Sequence, residues 1–350
     1  MNTLTFLGDV FLPRAYAANL DAIGLTGPFV FNLEYPITSA ARGWPGKVNL
    51  RSDANHIAAT FGRLPAAVCE ANNHVMDFGT AGLDDTHEEL RRLGIPSFGA
   101  GTLEANAGNP VLLAESNVAL LGYACPSTSA VLASRDHPGA APLDPDRIVR
   151  DIAVARTAGA RRVIVSLHWG EEEVRLPKPS DVATARLIVD AGADLVIGHH
   201  AHCVQPHERH RGRYIFYGLG NCIMPDLDEP SYYDETGRPT RRFSKTQHWW
   251  NRRSLAVRYD IHASSVTIQE LSFDGRSLRR AGGRGTRHVL RVEPAERYAA
   301  SYRRAFSFGK LRTKVMTYVS NPRRPRVRHL RSLVAIAREV RGAGAQAPPR

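Results

Sequence analysis

Apolar and polar positions along the first 275 residues follow two rhythms. Short, nearly continuous apolar runs occupy residues 4–9, 28–34, 66–72, 118–124, 162–168, 194–198 and 214–219. Runs of this length, bounded by Gly, Pro, Asn or Asp, predict strands covered on both faces. Between several of them, apolar residues recur at helical spacing, over residues 56–64, 81–93, 145–158 and 180–191. The second of these helices stops at Gly94, before Ile95 and Pro96 open an extended piece. Residues 254–261 and 265–273 alternate as the two strands of a hairpin. Strands separated by helices predict an α/β domain with buried sheets. One long polar stretch, 225–247, breaks the pattern and is expected to be an irregular loop, functional or disordered. Near residues 281–285 the composition changes, which divides the chain into a main domain, 1–282, and an extension, 283–350.

Charge separates the same two regions. Residues 301–350 hold 13 Lys or Arg against one acid, Glu339, while the other 300 residues balance at 33 basic and 33 acidic. The net charge of +12 therefore belongs to the tail. Residues 298–319 interleave Tyr298, Tyr302, Phe306, Phe308 and Tyr318 with basic side chains. Residues 326–341 place Val327, Leu330, Val334 and Ala337 at helical spacing, as a basic amphipathic helix. Such a tail suits an anionic membrane surface, an acidic synthase-complex partner or an acidic polymer. The competing expectation is a helix docked on the domain with a solvated basic face. Nucleic-acid binding has no motif behind it.

No run of about 18 apolar residues occurs, so no membrane-spanning helix is expected. The N-terminus has no basic segment or cleavage site and runs directly into a strand. A cytoplasmic protein is expected, peripheral at the inner face of the membrane if the tail attaches it. Cys69, Cys125, Cys203 and Cys222 are far apart and form no CxxC pair, so reduced thiols are expected.

The chemistry lies where the apolar runs end. Five of them lead into metal-competent side chains: Asp9, Glu34, Asn73-His74, His168 and His199-His200-Ala201-His202. In α/β sheets, ligands bind at the carboxyl ends of strands. A donor set of carboxylate, amide and imidazole favours Mn, Fe or Zn over an all-oxygen Ca or Mg cage. Two such ions sharing a carboxylate can clamp the attacking and leaving oxygens of a phosphoryl displacement. Taken singly, the residues have plainer readings. Asp9 could cap a helix, Asn32 and Glu34 could sit in a loop, and His168 could be a satisfied core histidine. The three clustered imidazoles are harder to explain by packing. Glu171, Glu172 and Glu173 read as a solvated loop, with one of them near the site as the alternative, and Arg51 as an anion binder. Trp249 and Trp250 read as either a core edge or a groove wall.

The segments Gly8-Asp9-Val10, Asn32-Leu33-Glu34, Ala71-Asn72-Asn73-His74 with Asp77, Leu167-His168-Trp169-Gly170, Gly198-His199-His200-Ala201-His202 and Leu219-Gly220-Asn221 occur in a telling order. Over roughly residues 1–275 the sequence resembles the CapA family of bacterial capsule and poly-γ-glutamate synthesis proteins. That family is a branch of the calcineurin-like metallophosphoesterase superfamily, so the resemblance implies a four-layer α/β/β/α sandwich. It implies that Asp9 and His202 bind a first metal, that Glu34 bridges, and that Asn73, His168 and His200 bind a second. His74 would protonate the leaving oxygen, oriented by Asp77, a task suited to imidazole near neutral pH. His199, Asn221 and Asn32 would support the site or contact substrate. One position departs from the superfamily, which has Asp-x-His at the first strand where this chain has Phe11. One metal is therefore expected to be firm and the second weaker, with His199 or a water as substitute ligand. The implied function is a metal-dependent hydrolase acting on a phosphoester or anionic polymer in capsule metabolism. The alternatives are a weakly catalytic assembly subunit of a polymer synthase and, resting on tail charge alone, a nucleic-acid phosphodiesterase.

Overall fold

The computed structural model describes residues 2–282, 289–292 and 294–320. In chain order its first half comprises β1 (Thr3–Val10), β2 (Phe29–Leu33), α1 (Asn55–Phe61), β3 (Ala67–Cys69), α2 (Gly79–Arg92), β4 (Ser97–Phe98), β5 (Ala100–Gly101), α3 (Glu104–Ala107), β6 (Val111–Leu113), β7 (Val118–Ala124), β8 (Gly139–Ala140), α4 (Pro145–Thr157) and β9 (Arg162–His168). Then come α5 (Pro179–Asp190), β10 (Leu195–His199), β11 (His207–His210), β12 (Arg213–Phe216), β13 (Asn221–Ile223), β14 (Leu227–Tyr233), β15 (Pro239–Lys245), β16 (Arg253–Asp260), β17 (Ser265–Phe273), β18 (Leu278–Arg280) and α6 (Ala295–Ser320).

The architecture is mixed α/β with two main sheets. One runs β18-β17-β16-β1-β2-β3-β4, with β13 paired to the end of β1, and the other runs β11-β12-β10-β9-β7-β6. Strands β1 to β4 are parallel, as are β7, β9, β10 and β12. One buried cluster joins the sheets through Leu4, Phe6, Val30 and Phe98 from the first and Leu120, Ile164, Ile197 and Phe216 from the second. On the opposite face of the first sheet, Phe29 and Phe31 pack with Ile57 and Phe61 of α1 and Leu90 of α2. On that of the second, Val163, Val165 and Val196 pack with Ile148 and Ile152 of α4 and Val182 and Ile188 of α5. Covered on both faces, β7 is buried at every position, which is why it read as one apolar run. Each fully buried Leu, Ile or Phe contributes about 1.5–3 kcal/mol.

Close backbone approach brings the sheets' ends together. A Cβ on Gly8 would lie 1.8 Å from the Gly220 carbonyl oxygen, so only glycine lets β1 pass under that turn. Asp9 is thereby paired in register with Asn221 of β13.

Two sequence expectations need correction. The strand expected over 66–72 is β3, which ends at Cys69. Beyond it, the Asn72 side chain donates to Asn32 Oδ1 at 3.1 Å and to the Leu33 carbonyl at 2.8 Å, turning the chain out of the sheet. Residues 225–247 are not an irregular loop. They contain the hairpin β14–β15, paired from Leu227 with Lys245 to Tyr233 with Pro239. The β15 strand is largely exposed and polar, so no apolar alternation announced it.

The described part of the tail is docked. Tyr298 of α6 is buried with the α4–α5 cluster, and its hydroxyl donates to the Pro177 carbonyl at 2.6 Å. The amphipathic helix expected over 326–341 lies outside the described residues. No helix among the described residues is long and apolar enough to cross a membrane. All four cysteines are free thiols.

Candidate metal centre

Strand ends from both sheets converge on one point. Asp9 is near the end of β1, Glu34 follows β2, Asn73 and His74 follow β3, and His168 ends β9. After β10 the chain turns with His200 at φ 79° and His202 at φ 51°. Left-handed backbone is uncommon outside glycine and is often found where a site fixes it. Here the His200 amide donates to Asp9 Oδ2 at 3.3 Å.

Glu34, His168 and His200 bring one ligand atom each within 4.8 Å of one another, and Asp9, Glu34 and His202 do the same. Glu34 belongs to both groups. Its Oε1 lies 3.9 Å from His168 Nε2 and 3.5 Å from His202 Nε2. Asn73 Oδ1 lies 2.9 Å from His168 Nε2, which places the amide on the His168 side. Both Glu34 oxygens and His200 Nδ1 are buried without a hydrogen-bond partner. Buried polar atoms are nearly always paired. An orphaned carboxylate among imidazoles therefore fits a cation, and the mixed N and O donors fit Mn, Fe or Zn.

Electrostatics agrees with the geometry. Burial, then the Asp9 charge, pushes the Glu34 carboxyl well above its usual range. Burial, then the neighbouring imidazoles, holds His168 well below its usual value, and burial first of all takes His200 down to about 4. Neutral imidazole is the form that ligates. Burial alone would raise Asp9, but the hydrogen bond and charge of His199 and the charge of His202 outweigh it and leave Asp9 lowered.

The remaining predicted residues fall around this core. His199 Nδ1 lies 3.0 Å from Asp9 Oδ1 and its Nε2 3.1 Å from Ser166 Oγ. His199 thus orients Asp9 and belongs to neither group of converging ligand atoms. Phe11 is buried in the core, edge-on to Tyr35 with centroids 5.6 Å apart. Asn221 Oδ1 lies 2.8 Å from His202 Nδ1, and Asn32 Nδ2 donates to Asp9 Oδ1 at 2.9 Å. His74 Nδ1 lies 2.7 Å from Asp77 Oδ2. Asp77, fully buried, also accepts from the Leu50 amide at 2.6 Å and pairs with Lys47 Nζ at 2.6 Å. Lys47 donates in addition to the Asn73 carbonyl. The His74–Asp77 dyad is thus fixed to the segment carrying Asn73.

Above the cluster is a cavity of about 230 Å³, lined by Glu34, Asn73, His74 and His202 together with Lys47, Lys245 and Glu172. Lys47 and Lys245 have no sequence signal of their own, being single basic residues in a loop and at the end of β15. The expectation of a solvated loop at Glu171 to Glu173 fails for Glu173, which is 2% exposed. Its carboxylate accepts from Thr313 Oγ1 at 2.8 Å and from Trp250 Nε1 at 3.4 Å. These partners lie 140 and 77 residues away in sequence, beyond any local pattern. Trp250 is buried at the core edge and Trp249 is exposed. Arg51 lies over the Phe78 ring at 5.1 Å and donates to the Ala40 carbonyl.

Residues 13–226 match the family of the bacterial capsule synthesis protein PGA_cap. The chain belongs to this family. Among its relatives, the PGA biosynthesis protein CapA of Bacillus subtilis is 36% identical over 238 residues, 63% of this chain and 62% of that protein. The capsule biosynthesis protein CapA of Bacillus anthracis is 34% identical over 159 residues, 44% of this chain and 39% of that protein. The PGA_cap chain thus spans less than two thirds of the length of these relatives. Among solved structures, the NAD nucleotidase of Haemophilus influenzae aligns over 81% of this chain and 54% of its own, at 12% identity and a TM-score of 0.39. The family match includes Glu34, Asn73, His74, Asp77, His168, His200 and His202, whereas Asp9 precedes it and Lys245 follows it.

Proposed function

We propose that this PGA_cap chain is a metal-dependent hydrolase of phosphoesterase type, acting on a phosphoester or anionic polymer in capsule or poly-γ-glutamate-type metabolism. The observation that carries the reading is the pair of ligand groups sharing one buried, unpartnered carboxylate, Glu34. The proposed fold is a four-layer α/β/β/α sandwich, supported by one apolar cluster between the sheets and one beneath the helices on each outer face. The capsule and polymer role follows the names of relatives that the chain spans only in part.

Asp9, Glu34 and His202 would hold one divalent ion, and Glu34, Asn73, His168 and His200 the other. Bound there, Mn, Fe or Zn would supply Lewis-acid charge to an oxygen of the group whose phosphorus is attacked and would lower the pKa of water. The rest is work for the protein. His199, Asn32 and Asn221 hold Asp9 and His202 in orientation. Asp77, fixed by Lys47 and the Leu50 amide, would hold the Nδ1–H of a doubly protonated His74, whose Nε2–H gives its proton to the leaving oxygen and leaves the neutral Nδ1–H ring. General acid catalysis of this kind is worth about 10²–10⁴-fold. The test is metal content together with hydrolysis of bis-p-nitrophenyl phosphate. His74→Ala is expected to lose about 10²–10⁴-fold in rate with its metal retained. Hydrolysis that His74→Ala leaves untouched contradicts the mechanism.

A second reading, an assembly subunit of a polymer synthase with little turnover, is favoured by one observation. Phe11 is in the core and His199 is committed elsewhere, so the Asp9 side has His202 as its single imidazole. Wild-type protein with both ions bound and no hydrolysis would favour it. We place the chain on the cytoplasmic side, held at an anionic membrane surface or synthase complex by its basic tail. Equal solubility on cell fractionation with and without residues 283–350 would remove that placement.

A further inference from the structure

The cavity wall carries an ion pair that the hydrolytic chemistry does not use. Lys245 Nζ, at the end of β15, lies 3.4 Å from Glu172 Oε2 and 3.5 Å from Glu173 Oε1. The two carboxylates are in different situations. Glu173 is buried and accepts from Thr313 and Trp250, while its backbone carbonyl accepts from Arg312 at 2.9 Å. Glu172 has a side chain 47% exposed and lines the cavity with His202, and Lys245 is the partner that holds it. The other cation of the cavity, Lys47, is tied to Asp77 at 2.6 Å and to the Asn73 carbonyl, so its charge is already used. Beside Lys245 the wall is apolar, made by Leu227, Phe243 and Met224. An anion next to Lys245 would thus share the cavity with the Glu34 cluster while meeting a cation that the cluster does not use.

We propose that Lys245 is a specificity-determining residue that binds a second anionic group of the substrate, away from the group at the Glu34 cluster. Glu172 is its built-in competitor. Its carboxylate sits where that anion belongs and swings into solvent when substrate enters. What this selects is a substrate carrying more than one anionic group. The assignment rests on the reading above only in taking the cavity as the substrate site.

The two members of the ion pair should therefore act in opposite directions. The probe is a fluorescein-labelled γ-linked glutamate oligomer, its binding to the full metal-loaded chain followed by fluorescence anisotropy at fixed salt. Lys245→Met is expected to weaken binding about fivefold, while Glu172→Gln tightens it by about twofold to fivefold. Arg242→Met removes a cation from the same hairpin, where the side chain is 59% exposed outside the cavity lining, and is expected to leave binding unchanged. A pair that only braced the fold would give losses for both Lys245→Met and Glu172→Gln, and that result overturns the assignment. So does a loss from Arg242→Met as large as that from Lys245→Met. Should Lys245→Met fail to fold, Glu172→Gln decides by sign: tightening supports the assignment, and weakening or no change overturns it. Opposed shifts in a protein that never hydrolyses any substrate would keep this assignment and discard the hydrolase.

Discussion

On one side of Glu34 stand His168, His200 and Asn73; on the other stand Asp9 and His202. The first side offers two imidazoles and an amide oxygen. The second offers one imidazole and a carboxylate whose oxygens already meet His199, Asn32 and the His200 amide. The difference traces to the end of β1, where Phe11 turns into the core against Tyr35. Both halves have the geometry of strand ends, but they offer different numbers of candidate ligands. Position in the fold and coordination strength are thus separable, and single substitutions can split them.

The largest contrast is expected between His168→Ala and His202→Ala. The first should weaken metal binding on its side at least about 100-fold, beyond the range typical of supporting residues. The second should remove the weaker ion and leave the firm one in place. Calorimetric titration with Mn²⁺ measures both, and equal losses would erase the asymmetry.

A pH effect of about 3 kcal/mol should follow on the richer side. In the metal-free protein His200 titrates near 4, against an ordinary value of 6.5, because burial disfavours its charge. Neutral His200 stabilises the fold fully above about 6.5, and that stability is lost as the pH falls toward 4. Chemical denaturation of His200→Asn should show a flatter profile over this window than wild type. Glu34 acts with the opposite sign: its raised value means stability lost as the pH rises above 4.5. An unchanged slope in His200→Asn would remove the buried neutral imidazole from the picture.

A smaller effect is expected from Lys47→Met, which takes one of three donors from Asp77. Hydrolysis should fall about tenfold with both ions retained. Loss of metal instead would make Lys47 a support of Asn73 and not of the proton donor.

How far the sequence could lead follows from range. Strands β7 and β9 were legible to the residue because each is buried along nearly its whole length. The convergent cluster was legible as a set, since each polar side chain closing an apolar strand has a plain reading alone but their recurrence at five strand ends does not. The hairpin β14–β15 escaped because its exposed positions are polar and Leu227, Tyr233 and Phe243, which turn inward, set no apolar alternation. Lys47, Lys245 and Ser166 escaped because each meets its partner through a contact set by the tertiary fold. The buried state of Glu173 depends on Thr313, in a helix that follows the main domain.

The most direct measurement concerns Glu34 itself. Wild type, Glu34→Gln and His202→Ala should be equilibrated with Mn²⁺, freed of excess ion and analysed for bound metal by mass spectrometry. A carboxylate shared by both groups predicts that Glu34→Gln loses metal from both sides, while His202→Ala keeps the firmly held ion. Glu34→Gln retaining as much metal as wild type would contradict the shared centre.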